Sequence, residues 1–192
     1  MDEDLPFIRL IQDGDESGLV ELMTRHKLAV FRFIIRYVGN EADAAELTEE
    51  TFYRVFMNAS RFRPKARVRT WIFTIAANLS RDSIRRRSKF KNQVSLSSKL
   101  GESTSIEGLD VIPDSGTGPI EEAYTKESIR AIEEAIHGLP EKLKFPFVFC
   151  ILENNSYEEC AEVLKVSLKT VETRIYRARL KLRKLLDHLP RN

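Results

Sequence analysis

The chain has 192 residues, 42% of them hydrophobic, enough for one packed domain or two small ones. No apolar run approaches the length of a membrane span and no signal-peptide pattern opens the chain, so a cytoplasmic protein without membrane insertion is expected. The net charge is only +2, from 31 Lys/Arg against 29 Asp/Glu, which argues against uniform coating of nucleic acid.

The near-neutral total hides strong segregation. Residues 1–22 carry seven acids and one Arg, and residues 41–50 add five acids with no base. Residues 61–91 reverse the sign, with eleven Lys/Arg against one Asp. Within this half three helices are expected. The first covers Leu19 to Val38, one helix or two, with Leu22, Val30, Phe33, Ile34 and Tyr37 at helical spacing, and Gly39-Asn40 ends it. The second runs from Ala42 to Met57 with Leu47, Thr51, Val55, Phe52 and Phe56. A basic loop, Ser60 to Arg67, is broken by Pro64. The third spans Val68 to Arg87 and turns Val68, Trp71, Ile72, Ile75, Ala76, Leu79 and Ser83 inward. Helices of this length gain stability by burying a shared core.

From Ser95 to Pro119 the chain becomes rich in Ser, Gly and acids and reads as a mobile linker. A second helical block begins near Glu121 with Ile129, Ile132 and Ile136, then the turn Gly138-Leu139-Pro140. A helix from Glu141 to about Glu153 follows, which Pro146 must kink or shift. Cys150 and Cys160 fall among apolar neighbours, so buried thiols are expected rather than a disulfide.

The chain closes on its strongest local signal, SYEECAEVLKVSLKTVETRIYRARLKLRKLL from Ser156 to Leu186. Ser156 and Glu159 form a capping box, and Tyr157, Cys160, Ala161 and Leu164 make an apolar stripe. After a break at Lys165-Val166, Ser167 is a second N-cap. Val171, Ile175, Ala178, Leu182 and Leu185 or Leu186 line the inner face of a long helix. Its outer face carries Lys169, Thr170, Thr173, Arg174, Arg177 and Lys181, and residues 165–184 hold eight bases against one Glu. A small helix, a tight turn and a basic helix of this kind fit the major groove of DNA. No zinc-ligand spacing joins His26, His137 and His188, and no phosphate loop or hydrolase motif is present, so neither an enzyme nor a cofactor is expected.

Two stretches together resemble a known family. AELTEETFYRVF (Ala45 to Phe56) with VRTWIFTIAANLSRDSIRRR (Val68 to Arg87), and then residues 138–186, resemble bacterial sigma factors of the extracytoplasmic-function (ECF) group. These are short sigma factors with only the second and fourth conserved regions. Glu49 stands where Gln is common in the family, Thr173 where Ser is usual, Cys160 where an aliphatic is usual, and Pro146 interrupts an apolar helix.

The resemblance implies an all-α chain of two small domains joined by a flexible linker. Residues 1–94 would bind core RNA polymerase and the −10 element, 95–120 would be the linker, and 121–192 would be a helix-turn-helix for the −35 element. It implies binding to the clamp helices of the largest polymerase subunit through Glu46, Leu47, Glu50, Phe52 and Arg54, with the flap as a further contact. Asn78, Asp82, Arg85 and Arg86 would act on the −10 region, where Asn and Arg can reach bases or phosphates. The basic loop would receive an unstacked base, with Phe62 either a wall of that pocket or a core anchor, and Trp71 first of all a core residue. An anti-sigma protein is a further partner the resemblance suggests. The alternative from another class is a free-standing dimeric helix-turn-helix regulator.

Overall fold

The structure, a computed structural model, describes residues 2–64, 66–95 and 119–187, and side chains in 2–64, 66–88 and 128–187. All regular elements among the described residues are helical. The first block holds α1 (Leu5–Gln12), α2 (Ser17–Val38), α3 (Glu41–Asn58), a 3₁₀ turn (Ala59–Arg61) and α4 (Val68–Ser95). The second holds α5 (Pro119–His137), α6 (Glu141–Phe147), a π-helical turn (Val148–Leu152), α7 (Tyr157–Leu164) and α8 (Leu168–Leu185).

Gly39, in the left-handed region at φ 73°, ends α2 by donating its N–H to the Ile35 carbonyl. The adjacent Asn40 then caps α3, its side chain accepting from the Asp43 amide at 2.8 Å. Leu22, Val30, Phe33, Ile34 and Tyr37 of α2 are buried as the periodicity requires, as are Leu47, Thr51, Phe52 and Val55 of α3. On α4, Val68, Ile72, Ala76 and Leu79 are buried, with Phe73, Ala77 and Ser80 widening the apolar face beyond one stripe. The buried hydroxyls of Thr48, Thr51 and Ser80 each donate to the carbonyl four residues back, so none is stranded.

α1 has no counterpart among the sequence expectations. Eight residues give only two turns, too few for a periodic signal, yet Ile8 and Ile11 are buried one turn apart. It returns along α2 because Gly18 lacks a side chain: a Cβ there would meet the Phe7 carbonyl oxygen at 2.3 Å.

The helix expected over Glu141–Glu153 is divided. Pro146 lies inside α6 and has no N–H to give. The next turn widens to π geometry, and Glu153 N–H reaches the Val148 carbonyl at 3.0 Å. The capping box at Ser156 and Glu159 and the cap at Ser167 both form. Lys165, in the left-handed conformation at φ 53°, makes the turn between α7 and α8. Val171, Ile175, Ala178 and Leu182 are buried, and Leu186 is the half-buried member of the final pair. Ile132 of α5 is 41% exposed, so it does not join Ile136 in the core. Both cysteines are free and buried. The linker expected between Ser95 and Pro119 lies, for residues 96–118, outside the described residues.

The two blocks are packed together, which separate domains on a tether did not suggest. Phe33 of α2 meets Phe145 and Phe149 at 5.4 and 6.0 Å, both edge-on. Phe73 of α4 meets Phe149 at 5.3 Å, and Tyr37 meets Phe145 at 5.8 Å. Ion pairs rim this contact: Arg36 with Glu153, Arg69 with Glu159 at 3.5 Å, and Arg81 with Glu141 at 3.6 Å. Lys144 Nζ donates to the Tyr37 carbonyl at 3.4 Å.

Candidate nucleic-acid interface

Among the described residues the outer face of α8 is exposed or half-buried. Ser167 Oγ accepts from the Thr170 amide at 3.3 Å and lies 2.8 Å from the Thr170 hydroxyl, which fixes the first turn. Thr173 Oγ1 is occupied by the Lys169 carbonyl at 2.8 Å. Lys169, Thr173, Arg177 and Lys181 are exposed, and Thr170 and Arg174 are half-buried. None of the ion pairs among the described residues involves α8. Its guanidinium and ammonium groups therefore reach an incoming polyanion without first breaking a bond. Tyr176, 63% exposed beside this face, was not singled out from the sequence.

α4 divides its basic residues among three surroundings. Asn78, Asp82 and Arg85 are exposed on one side. Asn78 Oδ1 accepts from Arg81 Nη1 at 3.3 Å, and Arg81 also lies over the Phe145 ring. Arg86 does not stay with this set: it lines the groove against α3 with Glu46 and Glu50, because eight residues after Asn78 the helix has turned by about 80°. Arg87 pairs with Asp43 of α3.

A pocket of about 320 Å³ opens beside the basic loop, lined by Arg54, Asn58, Arg61, Phe62, Trp71 and Asn78. The Phe62 and Trp71 rings stand 4.9 Å apart, tilted by 48°. Phe62 is only 7% exposed, so it serves as both core anchor and pocket wall, the two roles the sequence left open. Trp71 is half-buried and contributes to the core while lining the same pocket.

On α3 two of the five residues assigned to polymerase sit elsewhere than expected. Phe52 is 1% exposed and Leu47 6%, because both face α2 and α4, so they support the surface from beneath. Glu46 and Arg54 are exposed and Glu50 half-buried, with Arg54 Nε held by Glu50 at 2.6 Å. Tyr53 and Met57, 58% and 56% exposed, continue the stripe. The spacing 46, 50, 53, 57 is the helical complement of the buried set and could have revealed both.

Electrostatics concentrate at the contact between the blocks. His137 packs against Gly39, where a Cβ would lie 2.5 Å from its ring. Burial, helped by the Lys144 ammonium, pushes its imidazole down to about 4. Burial also lowers Lys144 to about 8, opposed by Glu141. The Cys150 thiol beside it and burial push Cys160 up, which suits an inert packing role. Among the described residues no group of three His, Cys, Asp or Glu gathers to hold a metal, and no helix is long and apolar enough to cross a membrane.

The two blocks match two family models in the same order. Residues 22–90 match Sigma-70 region 2, and residues 129–182 match Sigma-70, region 4. The chain is 33% identical over 177 residues to the ECF RNA polymerase sigma factor SigE of Mycolicibacterium smegmatis, covering 90% of this chain and 64% of that protein. It is 28% identical over 182 residues to the ECF RNA polymerase sigma factor SigW of Bacillus subtilis, covering 95% and 96%. The chain belongs to the ECF sigma factors. The fold of this sigma factor is shared with CnrH in complex with the cytosolic domain of CnrY, at TM-score 0.69 and 22% identity, over 96% of this chain and 97% of that one. It is shared too with the sigma factor RpoE bound to the anti-sigma factor NepR from Bartonella quintana, at TM-score 0.67 and 20% identity, over 88% and 96%.

Proposed function

We infer that this sigma factor directs promoter-specific initiation by binding core RNA polymerase through α3 and the promoter through α4, the basic loop and α8. The observation that carries the reading is the presence of two basic helical faces in one chain, in region 2 then region 4 order. α8 would enter the −35 major groove with Lys169, Thr170, Thr173, Arg174, Arg177 and Lys181. Asn78, Asp82 and Arg85 would meet the −10 strand, and the Phe62–Trp71 pocket would hold one unstacked base. Arg86 and Arg54 would serve whichever ligand enters the grooves they line. Glu46, Glu50, Tyr53 and Met57 would meet the clamp helices, with Leu47 and Phe52 as their support. Phosphoryl transfer belongs to the polymerase, so the chain acts as a non-enzymatic subunit, inside the cell where polymerase and promoters are.

The packed arrangement must open for this work. The names of the two elements place them about 25 base pairs apart, roughly 85 Å of B-DNA. Blocks in contact through Phe33, Phe73, Phe145 and Phe149 cannot span that distance. The packed form is what a protein antagonist would hold, and an anti-sigma partner, like that of the Bartonella protein, fits this sigma factor too.

Run-off transcription by bacterial core polymerase on a library of genomic fragments tests the reading. Adding the chain should create discrete starts sharing two upstream motifs. A chain that leaves core enzyme unbound and starts unchanged, yet binds duplex DNA as a dimer, would instead be a free-standing regulator.

A further inference from the structure

The loop beside the pocket is tied at both ends to a segment far away in sequence. At its entry, Gln12 Nε2 donates to the Ala59 carbonyl at 2.8 Å. At its exit, the Val68 amide, the first of α4, donates to Asp2 Oδ2 at 2.7 Å. The other oxygen of the same carboxylate, Oδ1, accepts from the Asp4 amide at 3.2 Å, so Asp2 is itself oriented. The residue before Val68 is Arg67, whose side chain cannot accept a helix-end amide, and the remote carboxylate supplies what the local sequence lacks.

The segment that reaches across is firmly seated. Ile8 and Ile11 of α1 are buried, Gly18 allows α1 to lie against α2, and Asp4 Oδ2 sits 2.7 Å from His26 Nε2. Arg63 Nη1 donates to the Ser60 and Phe62 carbonyls, which ties residues 60–63 to one another.

We propose that Asp2 and Gln12 are positioning residues for promoter opening: they brace the 59–68 loop and so set the Phe62–Trp71 pocket in which a −10 base is held. The proposal rests on the sigma-factor reading of that pocket. A brace explains why a short N-terminal helix is packed against the 3₁₀ turn although it carries no basic face of its own. Asp2 accepts through both carboxylate oxygens, so Asn, which has one acceptor oxygen, can keep the bond from the Val68 amide but gives up the one from the Asp4 amide, while Ala loses both.

Trp71 is the only tryptophan, so its fluorescence reports directly on the pocket. In Asp2→Ala, Gln12→Ala and the double variant, acrylamide quenching of Trp71 should increase, most in the double variant, while Asp2→Asn should fall between wild type and Asp2→Ala. On promoters recovered by run-off mapping, permanganate reactivity of the −10 strand should fall about tenfold in the double variant, the size expected from losing one capping bond and one part-buried side-chain bond. Affinity for core polymerase and for −35 duplex should not change. Unaltered quenching and opening in the double variant would overturn the brace. So would an Asp2→Asn variant as impaired as Asp2→Ala, or a parallel loss of core binding, which would mark general unfolding. Should the wild-type chain itself fail to start transcription, the sigma-factor reading falls, and the quenching series alone still decides whether Asp2 and Gln12 hold the loop.

Discussion

α4 and α8 are both long, both basic and both candidates to touch promoter DNA, yet the fold treats them differently. α8 buries one narrow stripe, and among the described residues its cationic face makes no ion pair. α4 is wrapped: Phe73 stands between Phe33 and Phe149, Arg69 is held by Glu159, and Arg81 by Glu141. A basic helix is therefore ready for DNA in one block and partly covered by the other block in the second. Composition alone could not separate the two, because the difference lies in what packs against each helix.

The largest expected effect tests the wrapping itself. Phe73→Ala removes a fully buried ring shared by the two blocks and should cost about 3–5 kcal/mol in urea unfolding. Tyr176→Ala on the open face of α8 should stay within about 0.5 kcal/mol. Equal costs at the two sites would erase the contrast.

The next variant separates the blocks without hollowing either core. Asn tolerates the left-handed backbone at Gly39, so Gly39→Asn keeps the α2 cap. Its Cβ would meet the His137 ring at 2.5 Å, and overpacking of this kind costs about 1–3 kcal/mol. Small-angle scattering should show a larger radius of gyration for the variant, and hydrogen exchange around Phe73 should quicken. An unchanged radius would mean that the contact between blocks is not what keeps α4 covered.

Substitutions on α8 should leave that contact alone. Arg174→Ala and Arg177→Ala should lower −35 binding by about 1–3 kcal/mol, at one base position if the side chain reads a base and across all sequences if it holds phosphate. Quantitative duplex binding at several salt concentrations distinguishes these cases, since a lost phosphate contact also flattens the salt dependence. The radius of gyration should match wild type in both. Intact binding in both variants would remove α8 from the interface.

Much of this was legible in the residues. The capping box at Ser156, the cap at Ser167 and the stripe Val171, Ile175, Ala178, Leu182 follow from local chemistry, which tertiary packing does not override. Three things were not. α1 is too short to show a period. The place of Phe52 stayed open between core and partner, because an aromatic in an acidic helix suits either, and only the facing helices decide. The packing of Phe145 and Phe149 against Phe33 and Phe73 joins residues more than seventy positions apart, and apolar spacing within α6 fits its own block equally well. Arg86 shows the same limit on a smaller scale: three- and four-residue steps accumulate rotation, and it ends in another groove.

The smallest effect is a dependence of the packed form on pH. His137 is held at about 4 by burial and by Lys144, below the ordinary imidazole value of 6.5, and parting the blocks removes the share of that burial which the Gly39 side supplies. A depressed value in the packed form means that packing is fully supported above 6.5 and loses support as pH falls from 6.5 towards 4. Each pH unit inside that window removes at most about 1.4 kcal/mol, and less here because the ring is partly open to water. The groups around it work in known directions. Lys144, lowered to about 8, strengthens packing only as pH rises from 8 towards 10.5. Burial raises Glu153, paired with Arg36 across the contact, and Glu133, so their protonation favours the packed form as pH approaches 4.5. Because these carboxylates oppose the histidine as pH falls, the interval from pH 7 to 5.5 is read by comparing the wild type with His137→Gln. Across it, scattering should report a shift towards the open form in the wild type and none in His137→Gln, which is uncharged throughout. An identical shift in the two proteins would assign the pH response to some other group and leave Gly39 and His137 as a steric contact only.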